Sequence, residues 1–334
     1  MVELELDLNR DLIEKLREGF EIRLKNFGRK VYFHSPGFKH YEVEDFSVKG
    51  PVRFVDISIT GKKCELMCDH CASKILWHMI PAETPEELWR VCEDLKARGV
   101  TGILISGGSN KDGVVELHPY LRTMKRIKEE LGMIVTCHVG LVDRSLAEGL
   151  KEAGVDAVLL DIIGDDETIA SVYKLPHKTV KDYYRSLTNL KEAGLKIVPH
   201  VIIGLHYGKI KGEFRALEMI ADHEPDALVL VVVMPYYGKA SFQLLPPPSP
   251  EEGAEVVLHA RRVMPAVPVM IGCARPAGPE RVKFDLYSLM AGVNGIAFPA
   301  EGVVTYSKEI GLEPVVSPSC CSTVFMIQAG IIEP

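Results

Sequence analysis

From residue 52 onward the sequence repeats one unit, a short apolar, β-branched run followed by a longer stretch with helical spacing of its apolar residues. The runs read as strands at Arg53–Ile59, Gly102–Ser106, Ile134–His138, Ala157–Ile162, Ile197–Ile203, Ala227–Met234, Val269–Gly272 and Gly295–Phe298. Helical stretches fall near residues 84–98, 118–131, 143–153, 179–193, 212–223, 250–263 and 279–292. Strands alternating with helices imply parallel pairing through crossovers. Runs that are apolar almost throughout imply burial on both faces of the sheet. The expected fold class is therefore α/β, with the eight strands closed as a (β/α)8 TIM-type barrel; a doubly wound open sheet is the alternative. Local signals agree. Thr84-Pro85-Glu86-Glu87 offers a cap residue followed by Pro at the first helical position. Gly99, Gly154 and Gly194 each stand where a helix should close on a left-handed residue.

Ahead of this rhythm, Leu12, Ile13, Leu16 and Phe20 fall at helical spacing among charges, so Asn9–Asn26 reads as an amphipathic helix. Residues 28–50 are mixed, with a turn at Pro36-Gly37. Three sections are expected: an N-terminal helical cap over residues 1–50, a barrel over 51–300, and a C-terminal tail over 301–334 folding back over the barrel mouth. His34 and His40 read as loop residues of the cap rather than ligands. A net charge of −7 and a pI near 5.9 argue against nucleic-acid or membrane-surface binding. The longest apolar run, Ala227–Pro235, is far too short to span a bilayer. The start, Met1-Val-Glu-Leu-Glu-Leu-Asp, lacks the basic and apolar regions of a signal peptide. Eight cysteines in such a chain point to a reducing, cytoplasmic setting and to metal or catalytic roles.

In a barrel the chemistry sits past the C-terminal ends of strands. Directly after the first strand comes Cys64-Glu65-Leu66-Met67-Cys68-Asp69-His70-Cys71, a C-x3-C-x2-C spacing. Three thiolates in one short loop suit a [4Fe–4S] cluster. With no fourth cysteine nearby, one iron is left open to an outside ligand, as an open position separates catalytic from structural zinc. Zinc with His70 or His78 as fourth ligand, a disulfide framework, and a chance group of buried cysteines are the competing readings; disulfide frameworks belong to small secreted domains.

With a ring residue, His70, before its last cysteine, the motif resembles the signature of radical S-adenosylmethionine (SAM) enzymes. The resemblance covers roughly residues 52–300 and is specific at the cysteines. It implies that Cys64, Cys68 and Cys71 hold a [4Fe–4S] cluster whose open iron chelates the amino and carboxylate groups of SAM, which is cleaved to a 5′-deoxyadenosyl radical. His70 is implied at the cofactor. Ser106-Gly107-Gly108-Ser109-Asn110 is similar to the family's Gly-Gly-Glu-like segment at the methionine amino group, with Ser109 where an acid is common. Asp161 matches the position that binds the SAM ribose, and Lys178 a basic position for its carboxylate. Val201-Ile202-Ile203-Gly204 resembles the adenine-contacting G-x-I-x-G, with Val201 in place of the first glycine and Ile203 at the contact. Met234-Pro235-Tyr236-Tyr237-Gly238 resembles the adenine-binding turn, placing Pro235 there. Their plainer readings are a tight turn for the glycines, a rim Asp paired with a lysine for Asp161, and a solvated side chain for Lys178.

Of the remaining cysteines, Cys92 reads as inert core, and Cys137, ending strand three before His138, is expected to face the mouth. Cys273, Cys320 and Cys321 would meet if the tail returns, and could hold a second Fe–S cluster with Ser319, Ser322 or Arg275 near the remaining iron. One buried thiol and two exposed ones is the alternative. Biotin synthase resembles the chain in its barrel and its Arg275-Pro276 strand. Its auxiliary cluster draws ligands from several strands, of which only Cys137 matches; Ser106 and His200 stand at two others. Lipoyl synthases consume a second cluster as a sulfur source, but their N-terminal cysteine motif and C-terminal Arg-Ser-Ser-Tyr are absent. Archaeal biotin-synthase-like chains that act in pairs to build lipoyl groups resemble this chain better. The resemblance thus implies sulfur insertion into an octanoyl group on a carrier protein or peptide, with an electron donor such as ferredoxin and a partner radical SAM subunit. Dethiobiotin is the alternative substrate. Methyl transfer, isomerisation, hydrogenase-cofactor maturation and a non-catalytic Fe–S scaffold stay open.

Overall fold

A computed structural model describes residues 9–37, 41–48 and 52–334. All eight expected strands form: β4 (Phe54–Ser58), β6 (Gly102–Ser106), β7 (Ile134–Val139), β8 (Ala157–Asp161), β9 (Ile197–Ile203), β10 (Leu228–Val232), β11 (Val269–Ile271) and β12 (Gly295–Ala297). Three more join them: β1 (Lys30–His34), β5 (Ile80–Pro81) and β13 (Glu313–Ser317). The result is a curled parallel sheet in the order β13-β1-β12-β11-β10-β9-β8-β7-β6-β4-β5. A small antiparallel hairpin, β2 (Glu42–Val43) with β3 (Phe46–Ser47), lies outside it. Among the described residues no ladder joins the two edges of the sheet. One backbone bond crosses between the segment after β1 and β4, from Gly37 N to Phe54 O at 2.9 Å.

Period-2 alternation sorts the side chains onto two faces. Val158, Leu160, Ile197, Val201, Leu228 and Leu230 pack outward with the helices in the larger core. Ala157, Leu159, Val198, Ala227, Val229 and Met270 face inward and form a separate core with Val324, Met326 and Ile327. The helices form where expected. Pro85–Ala97 is capped by Thr84, whose side chain accepts from Glu87 N, and Gly99, Gly154 and Gly194 adopt φ of 87°, 74° and 71° past helix ends.

Two expectations change. Residues 28–50 are not all cap, because Lys30–His34 is a strand of the main sheet, paired with both β12 and β13. It went unread because five residues bounded by Gly28 and Pro36 carry too little periodicity. The tail also contributes a strand, and its helix Val324–Gln328 then packs on the sheet's inner face, so it plugs the lumen from within rather than lying across the mouth. His34, expected in a loop, is fully buried on β1, with Nδ1 3.0 Å from Ser319 O and no partner for Nε2. His40 lies outside the described residues. No helix among the described residues is long and apolar enough to cross a membrane.

Burial pulls the His34 pKa from 6.5 down to about 4, against a small upward pull from its bond to Ser319. Between those values the unfolded chain binds the extra proton, so stability falls as pH drops through the window, by about 3 kcal/mol at its lower end. Urea unfolding at pH 7 and pH 4.5 should therefore show a markedly smaller acid loss for His34→Gln than for the parent chain; equal losses would refute the assignment.

Candidate active site

The ends of the strands and the plug enclose a cavity of about 360 Å³. Its most constrained wall is the loop after β4. Met67, Ala72 and Ser73 all adopt left-handed backbone there, with φ of 46°, 45° and 60°. Such conformations are costly for residues with a Cβ and persist only where surroundings impose them. A Cβ on Gly108 would lie 2.0 Å from Lys63 O and 2.6 Å from Cys64 Cα, so the loop after β6 reaches the cysteine loop only because residue 108 is glycine. Gly108 N donates to Thr60 Oγ1 at 2.7 Å, and Glu65 N donates to Ser109 O at 3.0 Å. The Cys64 thiol faces the same Ser109 O at 3.8 Å, and the Cys68 thiol faces Tyr173 O at 3.8 Å.

Asp69, inside the motif, ties this loop to three others. Its carboxylate accepts from Lys174 at 2.7 Å, from Tyr207 OH at 3.0 Å and from Lys239 at 2.9 Å. Its backbone does the same, donating to Val172 O and accepting from Lys239 N, both at 2.9 Å. Lys174 and Tyr207 are themselves left-handed, with φ of 61° and 51°. Burial acts to raise the Asp69 pKa, but the bonds from Lys174, Lys239 and Tyr207 outweigh it and hold the carboxyl below its usual range.

The ligand atoms of Cys68, His70 and Cys71 lie within 4.8 Å of one another, the only such group among the described residues. A hydrogen bond from Cys68 and the neighbouring His70 bring the Cys71 thiol down to about 4 despite burial, while the same bond and burial push Cys68 up. The His70 ring stacks on Tyr173 with centroids 5.0 Å apart, and its buried Nδ1 has no partner. Opposite lies a polar set on inward strand positions. Asp161 accepts from Tyr173 OH at 2.9 Å and faces His138 Nε2 at 3.5 Å, and His138 meets the His200 ring edge-on at 5.2 Å. Burial opposes ionisation of Asp161, but the contact with His138 and the bond from Tyr173 hold it well below the usual carboxylate range. Burial and His138 together lower His200 to about 4, leaving it neutral.

The cavity wall gathers His70, Gly107, Gly108, Ser109 and Asp161 with Cys64, Cys68 and Cys71, and it also includes Cys273, Cys320 and Cys321. Other residues fall elsewhere. Lys178 faces Asp112 at 3.6 Å, away from the wall. Ile203 points to the outer core, and its neighbour Ile202 takes the cavity side. Pro235 opens a short turn whose flanking Met234 and Tyr237 reach the cavity. Cys137 does not face the mouth; it is buried on the outer face, 3.9 Å from Met124 Sδ, and the alternation gives the cavity to His138. Arg275 is unavailable to any ligand. Its five N–H groups go to both Asp285 oxygens, at 2.8 and 2.9 Å, and to the carbonyls of Gly272, Ala297 and Phe298. Ser322 Oγ donates to Cys320 Sγ at 3.1 Å. Asp56, His138 and Tyr173 also line the cavity and were not singled out from the sequence. A polar residue inside a β-branched run, as in Phe54-Val55-Asp56-Ile57, is the signal that marks an inward position.

Residues 58–211 match the Radical SAM superfamily. The match runs from the last residue of β4 to just past β9, hence includes the cysteine loop and Asp161, and stops before Cys273, Cys320 and Cys321. The chain is 24% identical over 310 residues to a biotin synthase of Shewanella loihica, covering 91% of this chain and 83% of that one. It is 25% identical over 203 residues to a biotin synthase of Acaryochloris marina, covering 60% and 52%. Two solved structures share the fold. Methylornithine synthase (PylB) superposes with a TM-score of 0.61 at 16% identity, over 93% of this chain and 91% of that one. The FeFe-hydrogenase maturase HydG from Carboxydothermus hydrogenoformans gives 0.62 at 15%, over 92% and 73%. Similarity to the Radical SAM superfamily over that stretch points to a [4Fe–4S] cluster and SAM, and the thiols, the orphan His70 Nδ1 and the glycine approach at Gly108 fit them.

Gly108→Ala must displace the cysteine loop, so after anaerobic reconstitution it should lose the iron held by Cys64, Cys68 and Cys71 while its far-UV circular dichroism is unchanged; a full iron load would show that the loop tolerates the shift. Asp69→Asn keeps the shape of the tether and removes its charge. The lysines are well exposed, so about 1 kcal/mol is at stake, read as several-fold faster loss of iron to a chelator.

Proposed function

We propose that this radical SAM enzyme inserts sulfur at unactivated carbon, acting as a lipoyl synthase component on an octanoyl group carried by a protein or peptide. The observation that carries the reading is that two sets of three cysteines open onto one cavity. Cys64, Cys68 and Cys71 enter from the loop after β4, and Cys273, Cys320 and Cys321 from the loop after β11 and the plug. The superfamily's cofactor supplies a carbon-centred radical that removes hydrogen from the substrate. In this reading Gly107, Gly108, Ser109 and Asp161 bind SAM with His70 beside the cluster, Ile203 and Pro235 contribute backbone near the adenine, and Lys178 lies at the outer edge of that site.

The remaining thiols hold a second Fe–S cluster that donates sulfur. The same wall carries the aliphatic side chains of Leu104, Val139, Leu159, Ile202, Val229 and Val231, which suit a saturated acyl chain. An electron donor such as ferredoxin reduces the cluster, and a partner radical SAM subunit shares the work. The named relatives favour one second reading, sulfur insertion into dethiobiotin. Mass analysis after anaerobic turnover separates them. Octanoyl-peptide should gain sulfur in place of hydrogen while dethiobiotin is unchanged. The reverse result selects the second reading, and 5′-deoxyadenosine formed with no sulfur in either compound overturns both.

A further inference from the structure

One ionisable side chain in the cavity has no place in this account. Asp56 sits mid-strand on β4, between the outward Val55 and Ile57, and its carboxyl projects into the lumen. It is open to the cavity although protein surrounds it on every side, and among the described residues it has no hydrogen-bond or ion-pair partner. A carboxyl so placed is costly unless a proton or a cation neutralises it. Burial accordingly pushes it up to about 6, with His138 pulling slightly back.

Among the described residues no cation is free to serve it. Arg275 has spent every donor, and His138 faces Asp161 at 3.5 Å. The other groups within electrostatic reach of Asp56 are Cys273 and Cys320. Three thiols and one unpartnered carboxyl therefore face a common space from three separate elements. Of the two serines beside these cysteines, Ser322 donates its hydroxyl to Cys320 Sγ at 3.1 Å, and the Ser319 carbonyl lies 3.0 Å from His34 Nδ1.

We propose that Asp56 is the oxygen ligand of a second iron–sulfur cluster whose other ligands are Cys273, Cys320 and Cys321. The inference rests on the second cluster of the reading above and names its fourth ligand. Cys thiolates supply three corners of the cube. Iron accepts a carboxylate oxygen at the fourth and supplies the positive charge that Asp56 lacks. Cys320 and Cys321, adjacent in sequence, bind different irons, and the Ser322 hydroxyl bonds the Cys320 sulfur from the second shell.

The test uses the full chain with Cys64, Cys68 and Cys71 all replaced by Ala, reconstituted anaerobically. This background should hold about four irons. Adding Asp56→Ala should lower the count to about three and give the electron paramagnetic resonance signal of a three-iron cluster. Asp56→Cys should restore the fourth iron. Loss of fold does not explain such a result if metal-free Asp56→Ala unfolds at the same or higher urea concentration than its parent, as removal of an unpartnered carboxyl requires. An Asp56→Ala variant with the iron count and spectrum of its background overturns the inference and leaves the second cluster standing. A background without iron overturns the second cluster and the inference with it.

Discussion

A parallel sheet curled around a lumen has to fill that lumen, and here the filling determines everything else. The lower half is packed by the protein's own residues, Val324, Met326 and Ile327, against Ala157, Val198 and Ala227 near the strand starts. The upper half is left as a cavity. Because successive strand residues alternate between faces, every group the cavity needs must fall on the inward parity of its strand. Asp56, His138, Asp161 and His200 obey that rule, and Cys137 fails it by one position.

The loops at the strand ends are then bound to one another rather than resting separately on the rim. Asp69 gathers the loops after β8, β9 and β10 onto the cysteine loop, and Gly108 brings in the loop after β6. Left-handed backbone at Met67, Ala72, Ser73, Lys174 and Tyr207 marks where those ties hold the chain out of its preferred geometry. These ties hold Cys68, His70 and Cys71 within 4.8 Å of one another, with Cys64 on the same cavity wall.

Much of the architecture was legible because long periodic segments carry their own evidence. The eight strands and their intervening helices are such segments, as are the cap at Thr84 and the helix-closing glycines. What escaped was short or long-range. β1 and β5 span five and two residues, too few for periodicity to act on, and β13 is extended largely because β1 lies beside it. The cysteine loop was readable because spacing alone defines it. Asp69 was not, since its three partners lie 105, 138 and 170 residues away in sequence (239 − 69 = 170). Arg275 stood out by residue type, but type does not reveal that Asp285 and three carbonyls already consume its donors.

The sheet order has a temporal consequence. β1, near the start of the chain, is hydrogen-bonded between β12 and β13, near its end. During synthesis the strands carrying Cys64–Cys71 can pair with their neighbours early, because β4 and β6 to β9 are consecutive in the sheet. β1 has no ladder partner until residues beyond 295 have emerged, and the lumen has no floor until Val324–Gln328 follow. Such long-range closure comes late and slowly. The two sets of cysteines thus become ordered at different stages of folding, and the set that includes Cys320 and Cys321 is complete only when the protein is almost finished.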